Sequence, residues 1–247
     1  METPKFVFYI SHFPADDAAS RILKTCVDGI MKYYPGYPIR IIASPSSNPV
    51  RLDVSSNDIT IETSLLPNSS VVGGFKHFLQ NDFDKAVFLH DSMIIKGRFD
   101  DNIERDFGYL WYFRHISDLG TIECHDIRLR MNDFVADRPP FKWVGCFGCA
   151  LFSTRKALQQ LWDAVDFPYY ATHSNRAKAL MDLERVIGIV SAGIGLYNPE
   201  KHATLCGSIF DQPYAFHRTY VSQTLSDVER IVYNKPIYKF WMQRFLR

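Results

Sequence analysis

The chain has 247 residues, of which 47% are apolar and 22% charged, so it can bury a sizeable core and falls outside the disordered class. Its 28 Lys and Arg against 27 Asp and Glu leave a formal charge of +1, without the basic signature of a nucleic-acid binder, so any anionic partner has to be recognised locally. No stretch of about 18 apolar residues occurs, and METPKFVFYISHFP enters a strand pattern with no basic region or cleavage site, which predicts a cytoplasmic protein.

KFVFYIS at 5–11 reads as a first strand, and 15–34 as an amphipathic helix with Ile22, Leu23, Cys26, Val27, Ile30 and Met31 near helical spacing. Pro35 and Gly36 stop it. PIRIIAS at 38–44 gives a second strand, and beyond a polar loop ITIETS at 59–64 gives a third. A helix is expected over 71–82, leading into KAVFLHDSMIIKG at 85–97. There Ala86, Val87, Phe88 and Leu89 form a continuous apolar strand of the kind buried on both faces of a parallel sheet. His90, Asp91 and Ser92 interrupt it before Met93, Ile94 and Ile95 resume the apolar run. Such a strand admits polar residues only where it ends, and in open α/β sheets the carboxyl ends of strands face the ligand crevice. A surface turn in which Asp91 caps a backbone amide is the plainer alternative.

Beyond residue 100 the pattern changes. FGYLWYFRH at 107–115 is crowded with aromatics, KWVGCFGCALFS at 142–153 reads as one buried strand carrying two glycines, and TRKALQQLWDAV follows as a helix with Thr154 near its cap. Leu180, Leu183, Val186, Ile187 and Val190 predict a helix over 175–194, which also carries Asp182 and Glu184. A turn-rich region ending in FDQPYAFHRTY, a helix near SDVERIVYN and the tail PIYKFWMQRFLR complete the chain. With no internal repeat or linker, the expectation is one α/β domain over 1–247, a mostly parallel, Rossmann-like sheet flanked by helices, with an irregular C-terminal half.

The strand–helix opening, the polar break after a fourth strand, the glycine-bearing later strand and the acidic helix together resemble nucleotide-sugar glycosyltransferases of the GT-A fold. In that family a short acidic motif, usually Asp-X-Asp, follows an apolar strand and holds a divalent cation against the sugar-nucleotide diphosphate. Here His90-Asp91-Ser92 stands in that place, with one carboxylate where the family generally has two. The resemblance implies a nucleotide-sugar-binding half over 1–100 and an acceptor-binding half with C-terminal helices over 101–247. The implied reaction moves a sugar from a nucleoside diphosphate sugar to a carbohydrate or glycan acceptor.

The same resemblance implies Mn²⁺ or Mg²⁺ on Asp91 and His90, completed by His217, with His202 as the competing histidine. Ser92 would hold a metal water or a ribose hydroxyl, and Arg218 would reach the diphosphate. A metal-free variant, in which Lys or Arg neutralises the leaving diphosphate, stays open. Ser11, His12 and Ser44, at the ends of the first two strands, would take the nucleotide; Asp16 and Asp17 either reach ribose or complement the following helix dipole. Trp143, Gly145, Phe147 and Gly148 would line the acceptor pocket, the glycines by close backbone approach and the rings by stacking, or else serve packing alone.

Inverting transfer needs a carboxylate within hydrogen-bond reach of the acceptor hydroxyl. Asp182 and Glu184 are the candidates, and on a helix residues two apart point about 200° from each other, so only one can face the cleft. A surface pairing of Glu184 with Arg185 or Lys178 is the structural alternative. Cys146 and Cys149 have CxxC spacing, and Cys124-His125 would complete a zinc set, but the pair lies in an apolar run where cysteine behaves as a small hydrophobe. Five cysteines, an odd number spread over the chain, fit reduced thiols better than a disulfide framework. The tail mixes aromatic and basic residues, which suits docking on the domain or peripheral contact with a membrane. GxGxxG and GxxxxGK[ST] do not occur, which disfavours dinucleotide oxidoreductases and ordinary NTPases. A non-catalytic sugar- or nucleotide-binding module and another phosphate-handling α/β transferase are the competing readings.

Overall fold

Four short apolar strands, each joined to the next by a helix or a loop, pair as such a pattern requires. In the computed structural model, which describes residues 6–14, 17–45, 50, 52, 56–66, 69–113, 118–209 and 235–239, the strands are β1 (Val7–His12), β2 (Ile39–Ala43), β3 (Ile59–Thr63) and β4 (Lys85–His90). They run parallel in the order β3-β2-β1-β4. The later half of the chain extends the same sheet: β9 (Leu151–Thr154) lies antiparallel to β4, and β6 (Phe107–Tyr109) antiparallel to β9. The result is an α/β fold around a mostly parallel six-stranded sheet.

Alternation along the strands divides the core between the two faces. Phe8, Ile10, Val87 and Leu89 pack with Leu23, Cys26, Val27 and Ile30 of α1 (Asp17–Tyr33). Val7, Tyr9, Ala86 and Phe88 pack with Val72, Phe75 and Phe78 of α2 (Ser70–Leu79), and the same cluster takes in Leu183 and Ile187 of α6 (Arg176–Gly193). The two crossovers therefore lie on opposite faces. From β1 the chain steps outward to β2 and β3, then α2 returns it past β1 to β4. The carboxyl ends of β1 and β4 are thus the topological switch point, where open α/β sheets form their ligand crevice.

Caps hold the helices that frame this edge. Ser69 accepts from the Val72 amide at the start of α2, and the Arg155 guanidinium donates to the carbonyls of Phe78, Leu79 and Phe83 at its other end. Thr154 accepts from the Ala157 amide at the start of α4 (Arg155–Ala164), as its sequence position predicts.

Three features depart from the sequence pattern. Residues 142–153 form two strands instead of one, β8 (Gly145–Cys146), paired with β7 (Tyr112–Phe113), and β9, because the turn Phe147–Cys149 separates them. Met93–Ile95 is a separate strand, β5, which pairs with β10 (Ile237–Lys239), so the start of the tail docks as a strand with Ile237 buried. The C-terminal half is more regular than expected, since it also holds α3 (His125–Ala136) and α5 (Phe167–Thr172). The α3 stretch buries only Ile127 and Met131, too narrow a stripe for its period to stand out. The helix expected near SDVERIVYN and residues 240–247 of the tail lie outside the described residues.

Candidate functional site at the ends of β1 and β4

Ser11 and His90 are register partners across the switch point, and the Asp91 amide donates to the Ser11 carbonyl at 3.1 Å, so the two strand ends are tied together. Ser11 and His90 turn toward the α2 and α6 face, where with Val71, Phe75, Phe88, Leu89, Gly148 and Cys149 they line a narrow crevice too tight, as it stands, to admit a water molecule. His12 and Asp91 turn away from them and pair with each other. An ionised carboxylate has only acceptor oxygens, so His12 Nδ1 donates to Asp91 Oδ2, at 2.7 Å. His12 is fully buried, and its Nε2 has no hydrogen-bond partner among the described residues. Ser44 is also buried, and its amide donates to the His12 carbonyl at 2.8 Å, which places it on the rim the sequence assigned to it.

Across the crevice stands the turn Phe147–Cys149. Gly148 and Cys149 both have left-handed backbones, with φ of 63° and 52°. A left-handed non-glycine residue costs of order 1–3 kcal/mol and persists only where its surroundings over-determine it. Here they do. The Gly148 amide donates to Glu184 Oε1 at 2.9 Å, the Gly148 carbonyl accepts from His90 Nε2, and the Ala150 amide closes the turn on the Phe147 carbonyl. A Cβ at position 148 would stand 3.1 Å from His90 Nε2, so backbone angle and close approach both select glycine there. The Cys146 and Cys149 thiols are pushed well above the ordinary range, first by burial and then by nearby negative charge, including Glu184, which keeps them protonated and inert.

The two carboxylates of α6 have separate tasks, as their spacing requires. Asp182 is fully buried, and its oxygens accept from the Glu123 amide at 3.0 Å and the Cys124 amide at 2.8 Å, so it caps α3 from another helix. Its expected role as a base is replaced by this structural one. Glu184 is half-buried and faces the turn, while the surface partners considered for it are engaged elsewhere, Lys178 with Glu123 and Arg185 with Thr121 and the Met181 carbonyl.

The expected convergence of His90 and Asp91 on one cation is not what the fold builds. Successive residues leave a strand on opposite sides, and here one imidazole engages a carbonyl while the carboxylate engages the other histidine. Among the described residues no group of three or more His, Cys, Asp or Glu side chains gathers as metal ligands, the cysteine pair with Cys124-His125 included. Ser92 is buried in the turn after β4. Trp143 is 3% exposed within the core cluster of α6, so its ring packs instead of offering a sugar a face, and a Cβ on Gly145 would strike the Phe113 ring. Phe147 is half-buried against the α1-side core. His202 is tied to its own loop by the Asn198 amide, and burial first, then Arg105 and Lys201, holds its pKa below the ordinary value. His217, Arg218 and Asp16 lie outside the described residues; Asp17 is exposed in the first turn of α1.

Sequence reasoning missed one polar cluster near this edge. The Tyr9 hydroxyl hydrogen-bonds His77 Nδ1 at 2.8 Å, and His77 Nε2 meets Glu62 Oε2 at 2.7 Å, beside a groove of about 130 Å³ between β3 and α2. Its members lie 15 and 53 residues apart along the chain, so no local motif announces it. No protein-family model matches the chain, and no curated protein matches it.

Proposed function

We propose that this protein is a glycosyltransferase that moves a sugar from a nucleoside diphosphate sugar to a carbohydrate or glycan acceptor. The observation that carries the reading is the meeting of Ser11, His12, His90 and Asp91 at the β1 and β4 carboxyl ends, the switch point of the sheet, with Glu184 bound to the amide of Gly148 on the facing turn. In this reading the nucleotide lies over Ser11, His12 and Ser44. Glu184 takes the acceptor hydroxyl proton as the new bond to the anomeric carbon forms and the sugar–phosphate bond breaks, and the nucleoside diphosphate leaves. Gly148, beside Glu184, lets the acceptor approach the backbone closely.

The described residues do not by themselves fit a divalent-cation site. Asp91 supplies one carboxylate, already bound to His12, and His90 turns to Gly148. Mn²⁺ or Mg²⁺ enters the reading only through Asp91 and groups outside the described residues, so no step is routed through a cation. No described helix is long and apolar enough to cross a membrane. The reading keeps a cytoplasmic setting, with membrane contact, where the acceptor requires it, through residues 240–247.

The commitment of Asp91 to His12 favours a second reading, a sugar- or nucleotide-binding module without turnover. One experiment separates the two. UDP-, GDP- and TDP-sugars are titrated into the full chain with and without Mn²⁺, and the tightest binder is then incubated with glycan acceptors and followed for release of nucleoside diphosphate. Binding with release supports the transferase, binding alone the module, and no binding in any condition removes both.

A further inference from the structure

Glu184 and Gly148 meet at a turn that the left-handed backbone of Cys149 makes costly, and one side chain from the opposite wall reaches it. We infer that His90 is a positioning residue: its Nε2–H holds the Gly148 carbonyl, fixes the Phe147–Cys149 turn, and through that turn positions the Glu184 carboxylate, which accepts from the Gly148 amide. Three observations carry this.

The first is chemical. A carbonyl oxygen accepts only, so its partner has to donate. Histidine donates through Nε2–H, whereas an ionised aspartate has nothing to donate and would set its charge against the carbonyl oxygen. A donor such as the histidine at position 90 meets that need, and a carboxylate there would not. The second is geometric. His90 and Glu184 hold the two peptide groups that flank Gly148, one by its carbonyl and the other by its amide, which leaves the left-handed residue little freedom. The third is steric. Gly148 brings its backbone so near His90 that a Cβ would lie 3.1 Å from Nε2 and 3.3 Å from Cδ2, a spacing fitted to a ring held in place.

The clamp stands on these contacts alone; only the service it gives to Glu184 rests on the proposed transfer. Its test reads amide hydrogen exchange of Phe147, Gly148 and Ala150 in the full-length wild-type protein and in His90→Gln, His90→Leu and His90→Asp, with circular dichroism as the check on folding. Gln presents an amide nitrogen near the position of Nε2, so His90→Gln is expected to keep wild-type protection within about threefold, whereas Leu and Asp lose about tenfold, the scale of one net hydrogen bond. Should the Leu and Asp variants not fold, His90→Gln decides alone. Equal protection in folded variants, or loss in the Gln variant, overturns the clamp.

Mn²⁺ titration of the same proteins opposes the clamp to a ligand role, because the two rank the variants in reverse. A metal ligand tolerates Asp and is lost with Gln; a clamp tolerates Gln and is lost with Asp. Tight Mn²⁺ binding that survives in His90→Asp and falls about tenfold in His90→Gln would assign His90 to a cation and overturn the inference. Because exchange needs no substrate, failure of the clamp is separable from failure to bind a nucleotide sugar.

Discussion

Two faces of one sheet edge carry the same residue types to different ends. On the α1 side a fully buried histidine holds a carboxylate that is mostly covered; on the α2 and α6 side a part-exposed histidine and a half-buried glutamate grip a strained turn beside a narrow crevice. Each face uses a histidine and an acid, directly paired on one and joined through the Gly148 backbone on the other, and only the second borders a crevice. The difference teaches that the polar interruption His90-Asp91-Ser92 is two half-sites, divided by the pleat of the strand that delivers it.

Substitutions at four positions test that contrast. The largest effect belongs to neither face. Asp182→Ala leaves the buried Cys124 amide and the part-buried Glu123 amide at the start of α3 without their acceptor, and it is expected to cost about 3 kcal/mol in urea denaturation, since hydrogen bonds to charged groups contribute about 1.5–3 kcal/mol each. A cost below about 1 kcal/mol would return Asp182 to the list of catalytic candidates. Gly148→Ala tests the crevice face: a Cβ on a left-handed backbone and against His90 should cost about 1–3 kcal/mol by the same method, and it should disturb ligand binding as well.

The α1 face is tested by His12→Leu against His12→Asn. Leucine strips Asp91 of its donor and should cost about 1–2 kcal/mol, whereas asparagine keeps an N–H near the position of Nδ1 and should recover most of the loss in thermal melts. Equal melting of the two variants would mean that the pair contributes packing only. The smallest effect sets the floor. Lys24→Ala removes an exposed i,i+4 pair with Asp28 on α1, and it is expected to change stability by no more than about 0.5 kcal/mol.

Much of the frame was legible because buried strands and amphipathic helices write their burial into period and composition. β1, β2, β3 and β4, together with α1, α2, α4 and α6, fall within a few residues of the positions that apolar spacing predicts. The Thr154 cap was readable for the same local reason. Long-range partnerships were not. That Asp91 meets His12, 79 residues away, and that Glu184 meets Gly148 are consequences of sheet order and helix packing, which spacing does not encode. The single strand expected over 142–153 was misread because two buried ladders and a half-buried turn are all apolar, and only the left-handed Gly148 and Cys149 divide them. Asp182 was read as chemistry because a carboxylate that caps another helix looks in sequence like one that faces a cleft.

The central claim, a ligand site at the β1 and β4 ends, is tested most directly by the exchange footprint of the tightest-binding nucleoside diphosphate sugar on the full chain. Added protection is expected at Ser11, His12, Ser44, His90, Asp91 and the 147–149 turn. Protection confined to the groove of Glu62, Lys76 and His77, or to that of Asp84, Lys85 and Glu104 at the opposite end of the sheet, would contradict it.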